Sequence, residues 1–243
     1  MNQDKDTLFS DPLRSPAPFR FDQTVVDVFP DMIKRSVPGY ETVVAMSGLL
    51  AARFARPDTV LYDLGCSLGA TLFSLRQRVA EIDCQIVGID NSTAMINRCR
   101  ELLSNSGNGV PVELIEGSIQ DVSYRECSMV TLNYTLQFVP IADRTALLTR
   151  LYDKLIDGGV LVLSEKIAFE DAQLEELNVA LHHDFKRAHG YSDLEIAGKR
   201  DSLENVLVPE TLQTHRERLE EAGFSSCDVW FQCFNFASLI AIK

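Results

Sequence analysis

From residue 59 to residue 164, short apolar runs alternate with stretches of helical spacing, and this alternation restricts the fold more than any other feature of the chain. The run at 59–64 ends in a glycine-containing loop, and 70–79 reads as helix. A second run, 84–89, stops at Asp90-Asn91-Ser92, and 93–103 is helical with Ser92 placed to cap it. Runs at 111–115, 128–134 and 160–164 predict three further strands. An amphipathic helix is expected over 142–155, closed by Asp157-Gly158-Gly159. Strands that alternate with helices pair in parallel, with the helices covering both faces. Val160-Leu-Val-Leu163 is apolar without interruption, as a strand buried on both faces must be. Two last runs, 227–234 and 236–242, meet at Asn235 and predict an antiparallel hairpin, preceded by a helix over 209–222. The expected fold class is α/β, a Rossmann-like, mostly parallel seven-stranded sheet with a C-terminal antiparallel hairpin.

The flanks add to this core. Residues 1–22 read as an irregular arm punctuated by Pro12, Pro16 and Pro18. A short helix over 24–34 is expected to break around Pro30. Pro38-Gly39 makes a turn, and 41–55 carry Val44, Leu49, Leu50 and Phe54 at helical spacing. Residues 169–204 contain no strand pattern. They read as two polar helices, 170–188 and 192–204, joined at Gly190. This is a helical insertion after a strand end, where such folds build specificity. The expectation is one domain over 1–243, with 1–55 as an N-terminal arm and helices. With 243 residues and 46% hydrophobic content, the core is ample for that.

The net charge of -12 argues against a phosphate-backbone or anionic-membrane partner, which needs a basic face. The polar start Met1-Asn-Gln-Asp-Lys-Asp has no apolar core of a signal peptide, and no stretch reaches membrane-spanning length, so a cytoplasmic protein is expected. Cys66, Cys84, Cys99, Cys127, Cys227 and Cys233 include no Cys-x-x-Cys pair and read as reduced thiols. The His and Cys spacings do not cluster, and no metal is expected.

The segment Asp63-Leu-Gly65-Cys-Ser67-Leu-Gly69 joins a strand to a helix. Gly65 permits a sharp turn and close ligand approach, and Gly69 permits close packing as the helix starts. Dinucleotide sites use Gly-x-Gly-x-x-Gly to seat a pyrophosphate on the helix N-terminus. Here Asp63 leads the loop, repelling a pyrophosphate and favouring an ammonium or sulfonium. Asp90, at the tip of the next strand, suits the vicinal hydroxyls of a ribose. Asn91 follows within reach of ribose or adenine. An ordinary turn and a cap would explain either feature alone; on consecutive strands they point together to an adenosyl sulfonium.

On these residues the chain resembles the class I S-adenosylmethionine-dependent methyltransferase superfamily. Within it, the whole length is similar to the carboxy-S-adenosyl-L-methionine synthase family. The specific blocks are Val28-Phe-Pro-Asp-Met-Ile33, Arg35-Ser-Val-Pro-Gly-Tyr40, Tyr62-Asp-Leu-Gly-Cys-Ser67, Thr135-Leu-Gln-Phe138, Leu163-Ser-Glu-Lys166, His183-Asp-Phe-Lys-Arg-Ala188 and Trp230-Phe-Gln-Cys-Phe-Asn-Phe236. The resemblance implies that S-adenosyl-L-methionine is a substrate whose sulfonium methyl is deprotonated and carboxylated. Prephenate is the carboxyl source, and phenylpyruvate leaves. The product, carboxy-S-adenosyl-L-methionine, passes to a separate enzyme that modifies a tRNA wobble uridine. A sulfonium acidifies the adjacent C–H, the ylide captures carbon dioxide, and aromatisation of prephenate drives the exchange. The resemblance also implies a homodimer, for which the 169–204 insertion is a plausible contact.

Residue by residue, the family's ligand contacts fall on Tyr40, Gly65, Cys66, Ser67, Asp90, Asn91, Asn133 and Arg200. Gly117-Ser118-Ile119 departs from the family's Gly-Asp-Ile, so Ser118 stands where an Asp would accept from the adenine amino group. Arg200 is expected to hold the new carboxylate bidentately, and Tyr40 to lid the site. The alternatives are a solvated helix-end charge, a packing tyrosine and, for Asn133, a turn former. His182 and His183 are adjacent on a polar helix, so at most one is expected to enter a site, and no convincing protein base emerges. Lys199 and Arg35 are further cations available to anionic prephenate. Two other readings share the cofactor residues: an ordinary small-molecule methyltransferase, and a non-catalytic module that keeps the ligand.

Overall fold

The computed structural model describes residues 5–11, 18–107 and 109–243. Pro12 and Pro16 of the expected arm lie outside them. Helices α1 (Gln23–Ser36) and α2 (Tyr40–Phe54) precede the alternating core. The core runs β1 (Val60–Leu64), α3 (Ala70–Arg78), β2 (Gln85–Asp90), α4 (Thr93–Ser104), β3 (Val112–Glu116), β4 (Cys127–Asn133), a 3-10 turn at Leu136–Phe138, α5 (Ile141–Lys154) and β5 (Leu155–Ala168). The insertion is α6 (Ala172–Ala188) and α7 (Asp193–Leu203). The chain closes with β6 (Glu210–Thr211), α8 (Leu212–Glu221), β7 (Ser226–Cys233) and β8 (Phe236–Ile242).

The sheet order is β3-β2-β1-β4-β5-β8-β7, with β6 pairing the far end of β5. The first five strands are parallel, and β8 runs antiparallel between β5 and β7. This is the expected α/β sheet with its terminal hairpin, but with eight strands rather than seven, because the two-residue β6 adds to the seven of the main path. Residues along a strand alternate between the two cores. Tyr62, Val87 and Leu132 pack toward α5 and α8. Leu61, Ile86 and Met129 pack toward α2, α3 and α4. Burial on both faces is why these runs lack polar alternation.

Three expectations are corrected. Helix α1 continues through Pro30. A proline there forfeits a hydrogen bond and crowds the preceding turn, at about 3 kcal/mol. Val25, Val26, Val28, Phe29 and Met32 are buried in one cluster with Met95, and that burial outweighs the loss. Asp157-Gly158-Gly159 does not close α5. The helix ends at Lys154, and the glycines form a bulge inside β5, where the register jumps from Cys127↔Leu155 to Met129↔Val160. The helix expected from 209 starts at Leu212, because Glu210 and Thr211 pair with Ile167 and Ala168.

All six cysteines are free, four of them buried. Among the described residues no helix is long and apolar enough to cross a membrane, and no group of three or more His, Cys, Asp or Glu is placed to hold a metal.

Candidate active site

The strand order reverses between β1 and β4, so the crossovers leave on opposite sides and open a crevice at their carboxyl ends. The glycine loop after β1 sits there. Gly65 has φ +77°, and a Cβ on it would lie 2.2 Å from Thr135 Oγ1; a Cβ on Gly69 (φ +86°) would lie 2.7 Å from Cys99 Sγ. Only glycine meets both the turn and the close approach. The loop's amides are already committed. Gly65 and Cys66 N–H donate to the Ile89 carbonyl (2.8 and 3.0 Å), and Ser67 N–H donates to Asp90 Oδ2 (2.9 Å). None of these three is left for a phosphate, which excludes the pyrophosphate seat of a dinucleotide site on geometry.

A cavity enclosing about 970 Å³, its open mouth included, is lined by Tyr40, Gly65, Cys66, Ser67, Asp90, Asn91, Ser118, Ile119 and Asn133 among others. That is the size of a small-molecule site. Nine of the ten site residues expected from sequence therefore share one wall. Asp90 accepts from Ser67 N–H through one oxygen and from Ser92 N–H (2.9 Å) through the other. Each oxygen keeps a second lone pair for a ligand hydroxyl. Burial raises the Asp90 carboxyl above its ordinary range, against those two amides.

Asp63 behaves differently. It is buried at 2% exposure and does not line the cavity. Thr131 Oγ1 donates to its Oδ1 (2.7 Å), while Oδ2 has no partner. Burial, with a contribution from the Asp90 charge, raises it to about 7, against the Thr131 hydrogen bond. It therefore sits behind the loop rather than in the cavity wall. Cys66 is wall rather than nucleophile: hydrogen bonding with Cys99, then burial, pushes its thiol up.

Asn133 closes β4 and is held on both ends of its amide. Its Nδ2 donates to Thr71 Oγ1 (3.2 Å) and Ser47 Oγ (3.4 Å), and its Oδ1 accepts from Ser164 Oγ (2.7 Å), which contacts Ser238 Oγ. Ser118 Oγ accepts from Gln120 N–H (3.1 Å) and retains capacity to face a ligand. Tyr40 opens α2, its ring 6.0 Å from Tyr134. Burial raises its phenol, so it stays a protonated donor.

Arg200 does not line this cavity. It sits on α7 with its side chain 66% exposed, paired to Asp201 at 3.1 Å, and lines an adjoining cavity that shares Phe21, Phe29, Ile33 and Phe138 with the first. Both His182 and His183 line that second cavity, contrary to the expectation of one at most. His182 Nε2 donates to the Ser36 carbonyl (2.8 Å), and burial lowers its pKa to about 3, so it is neutral and already engaged. Arg35 lines neither cavity. Its Nη1 pairs with Asp31 (2.9 Å), its Nε with the His189 carbonyl (2.7 Å), and its guanidinium lies 3.8 Å from the Tyr191 ring, so it ties α1 to the insertion.

Sequence reasoning missed the residues that shape the wall beside Asn133. Tyr134 has φ +61°, and Thr135 begins the turn at Leu136–Phe138. Glu165, fully buried on β5, accepts from Leu136 and Gln137 N–H (both 2.9 Å) and so clamps that turn. Burial pushes Glu165 up to about 8 against those amides and Arg144. A lone acid inside an apolar strand was the available signal.

Comparison with known proteins agrees with this geometry. A family model described as a methyltransferase domain matches residues 61–159. Among solved structures, a putative S-adenosyl-L-methionine-dependent methyltransferase of Methanococcus maripaludis superposes with TM-score 0.61 at 16% identity, covering 95% of this chain and 97% of that one. Human N-acetylserotonin methyltransferase gives 0.61 at 16%, covering 91% and 55%. These likenesses concern the fold. Curated proteins named carboxy-S-adenosyl-L-methionine synthase are much nearer: that of Trichlorobacter lovleyi is 54% identical over 100% of both chains. That of Klebsiella pneumoniae is 53% identical over 98% of this chain and 97% of its own. A chain that matches these synthases end to end, with the cleft of an S-adenosylmethionine enzyme at its strand ends, belongs to the carboxy-S-adenosyl-L-methionine synthase family.

Proposed function

We propose that this enzyme carboxylates the sulfonium methyl of S-adenosyl-L-methionine with prephenate as donor. Phenylpyruvate is released, and the product serves a separate enzyme of tRNA wobble-uridine modification. The full-length identity to named synthases is the observation that carries the reading. The cleft supports it chemically. Asp90 and Asn91 suit the ribose, the amide-spent loop after β1 suits a neutral or cationic ligand rather than a phosphate, and the protonated Tyr40 suits a carboxylate.

The balance needs no protein base. Prephenate loses its ring carboxylate as carbon dioxide, and the electron pair aromatises the ring and expels the ring hydroxyl as hydroxide. Hydroxide takes the methyl proton and becomes water, and the methyl carbon forms its new bond to carbon dioxide. His182, whose pKa burial lowers to about 3, is a weak base and fits this absence of one.

Arg200 is assigned to the new carboxylate, from its own chain or from the partner of a cytoplasmic homodimer. Its weak exposed pairing with Asp201 leaves it free to move. Mass spectrometry of the co-purifying small molecule tests the reading. A ligand heavier than S-adenosyl-L-methionine by one carbon dioxide, with phenylpyruvate released from prephenate, is expected. Only the demethylated cofactor, with no response to prephenate, would favour an ordinary methyltransferase. Arg200→Ala is expected to weaken the carboxylated ligand at least tenfold more than S-adenosyl-L-methionine; equal losses would remove Arg200 from this role.

A further inference from the structure

The second cavity reverses the electrostatics of the chain. The protein carries 35 acidic against 23 basic residues. Yet Lys166, Lys186, Lys199 and Arg200 line this chamber against only Asp201 and Glu204, and Asp201 is taken by Arg200. Lys186 and Lys199 are buried, at 7% and 6% exposure. Among the described residues, none of the three lysines forms an ion pair. The one hydrogen bond that their ammonium groups make there is Lys199 Nζ to Ser36 Oγ at 2.8 Å.

Buried ammonium groups without counter-ions are strongly disfavoured unless something else satisfies them. Here the cost is visible. Burial first, and the charges of the other two lysines second, push Lys186 down to about 7. Burial also pushes Lys199 down, to about 8, against the charges of Asp6 and Asp31, neither of which reaches ion-pair distance. Such crowding marks a site that awaits an anion. Apart from Ser36, His182 and His183, the rest of the chamber is apolar, with Phe19, Phe21, Phe29, Phe138 and Phe236 in its wall. Phe21, Phe29 and Phe138 also line the first cavity. A file of ring contacts, Tyr40–Tyr134 at 6.0 Å, Tyr134–Phe236 at 6.1 Å and Phe236–His182 at 4.9 Å, runs from one cavity to the other.

We propose that this chamber is the docking site of the carboxyl donor, a small ring-bearing dicarboxylate, whose carboxylates are gripped by Lys166, Lys186 and Lys199 and whose ring rests on the phenylalanine wall. It rests on the function proposed above and adds its missing half: the nucleophilic methyl is held in one chamber and the donor in the next. Lys166 ends the β5 stretch paired with β8, opposite Phe236, so the sheet itself sets cation and aromatic side by side.

The test uses the full-length protein and prephenate. Lys186→Met is expected to raise the KM for prephenate at least tenfold while the Kd for S-adenosyl-L-methionine stays within about twofold. The ligand-free variant is expected to melt higher than the parent, because an unpaired charge is gone, and to lose the melting shift that prephenate produces. Lys186→Arg, which keeps the charge, is expected to recover part of the KM. Should Lys186→Met fail to fold, the half-buried Lys166→Met carries the same expectation. An active parent whose prephenate KM is unchanged in both methionine variants overturns the site. A parent that makes no carboxylated product, but in which prephenate still protects the wild type and not the variants, overturns the function and keeps the site.

Discussion

The two cavities meet at Phe21, Phe29, Ile33 and Phe138 and are built on opposite principles. In the first, polar groups are bound to one another before any ligand arrives: Asp90 to two amides, Asn133 to three hydroxyls, the loop amides to Ile89. Such a cleft is preorganised, and its ligand meets fixed dipoles. In the second, three lysines lack ion pairs among the described residues and two are buried, so the chamber is poised rather than satisfied. The first cavity sits on strand ends of the parallel sheet. The second lies between that sheet, α1 and the helical insertion.

The comparison can be broken at four points. The largest effect is expected from Gly65→Ala. Its Cβ would meet Thr135 at 2.2 Å on a left-handed backbone. Strain and displacement together of about 3 kcal/mol imply a loss of about a hundredfold or more in S-adenosyl-L-methionine affinity by calorimetry. Gly107→Ala, equally left-handed at φ +75° but with nothing within 4 Å, isolates the strain and should leave affinity intact. Next, Asp90→Ala removes the proposed ribose acceptor and frees two amides, and a rise in Kd of roughly 10- to 100-fold is expected. A smaller change would mean that the ribose is held elsewhere.

The third test reads opposite signs from the two regions. Asp63 rises from its ordinary 3.8 to about 7, so between those values the native state keeps a proton that the unfolded chain has released, and stability falls as pH rises. Lys186 drops from 10.5 to about 7, so the unfolded chain keeps the extra proton and stability rises over that window. Asp63→Asn should flatten the acid limb of a melting-temperature profile and Lys186→Met the alkaline limb, each by on the order of 2 kcal/mol. If neither limb changes, the charges are relieved by local opening. The smallest effect is expected from Ser118→Asp, which replaces a shared hydroxyl by a charged, longer-reaching acceptor and should tighten S-adenosyl-L-methionine about threefold. No change would place the adenine amino group on a backbone carbonyl instead.

Much of the first region was legible in the residues because its determinants are local. A glycine that must turn, an acid that ends the next strand and an asparagine that ends β4 converge once strands alternate with helices, since parallel strands present all their carboxyl ends on one edge. The Pro30 helix and the Asp157-Gly158-Gly159 bulge were misread because burial and strand pairing overrode local preference. The second region was barely legible. Lys166, Lys186 and Lys199 are separated along the chain, and each alone resembles an ordinary surface lysine.

By itself, then, the sequence determined the parallel sheet, the order of its elements, the glycine loop at the cleft and the synthase family, because periodicity, glycine geometry and contiguous blocks are written along the chain. Tertiary structure alone decided that Asp63 sits behind the loop, that Arg35 braces α1 to the insertion, that Arg200 lines the neighbouring chamber, and that three lysines gather there with no ion pair among the described residues. Those outcomes depend on which groups from distant segments share a low-dielectric space, and burial sets both their charge and their partners.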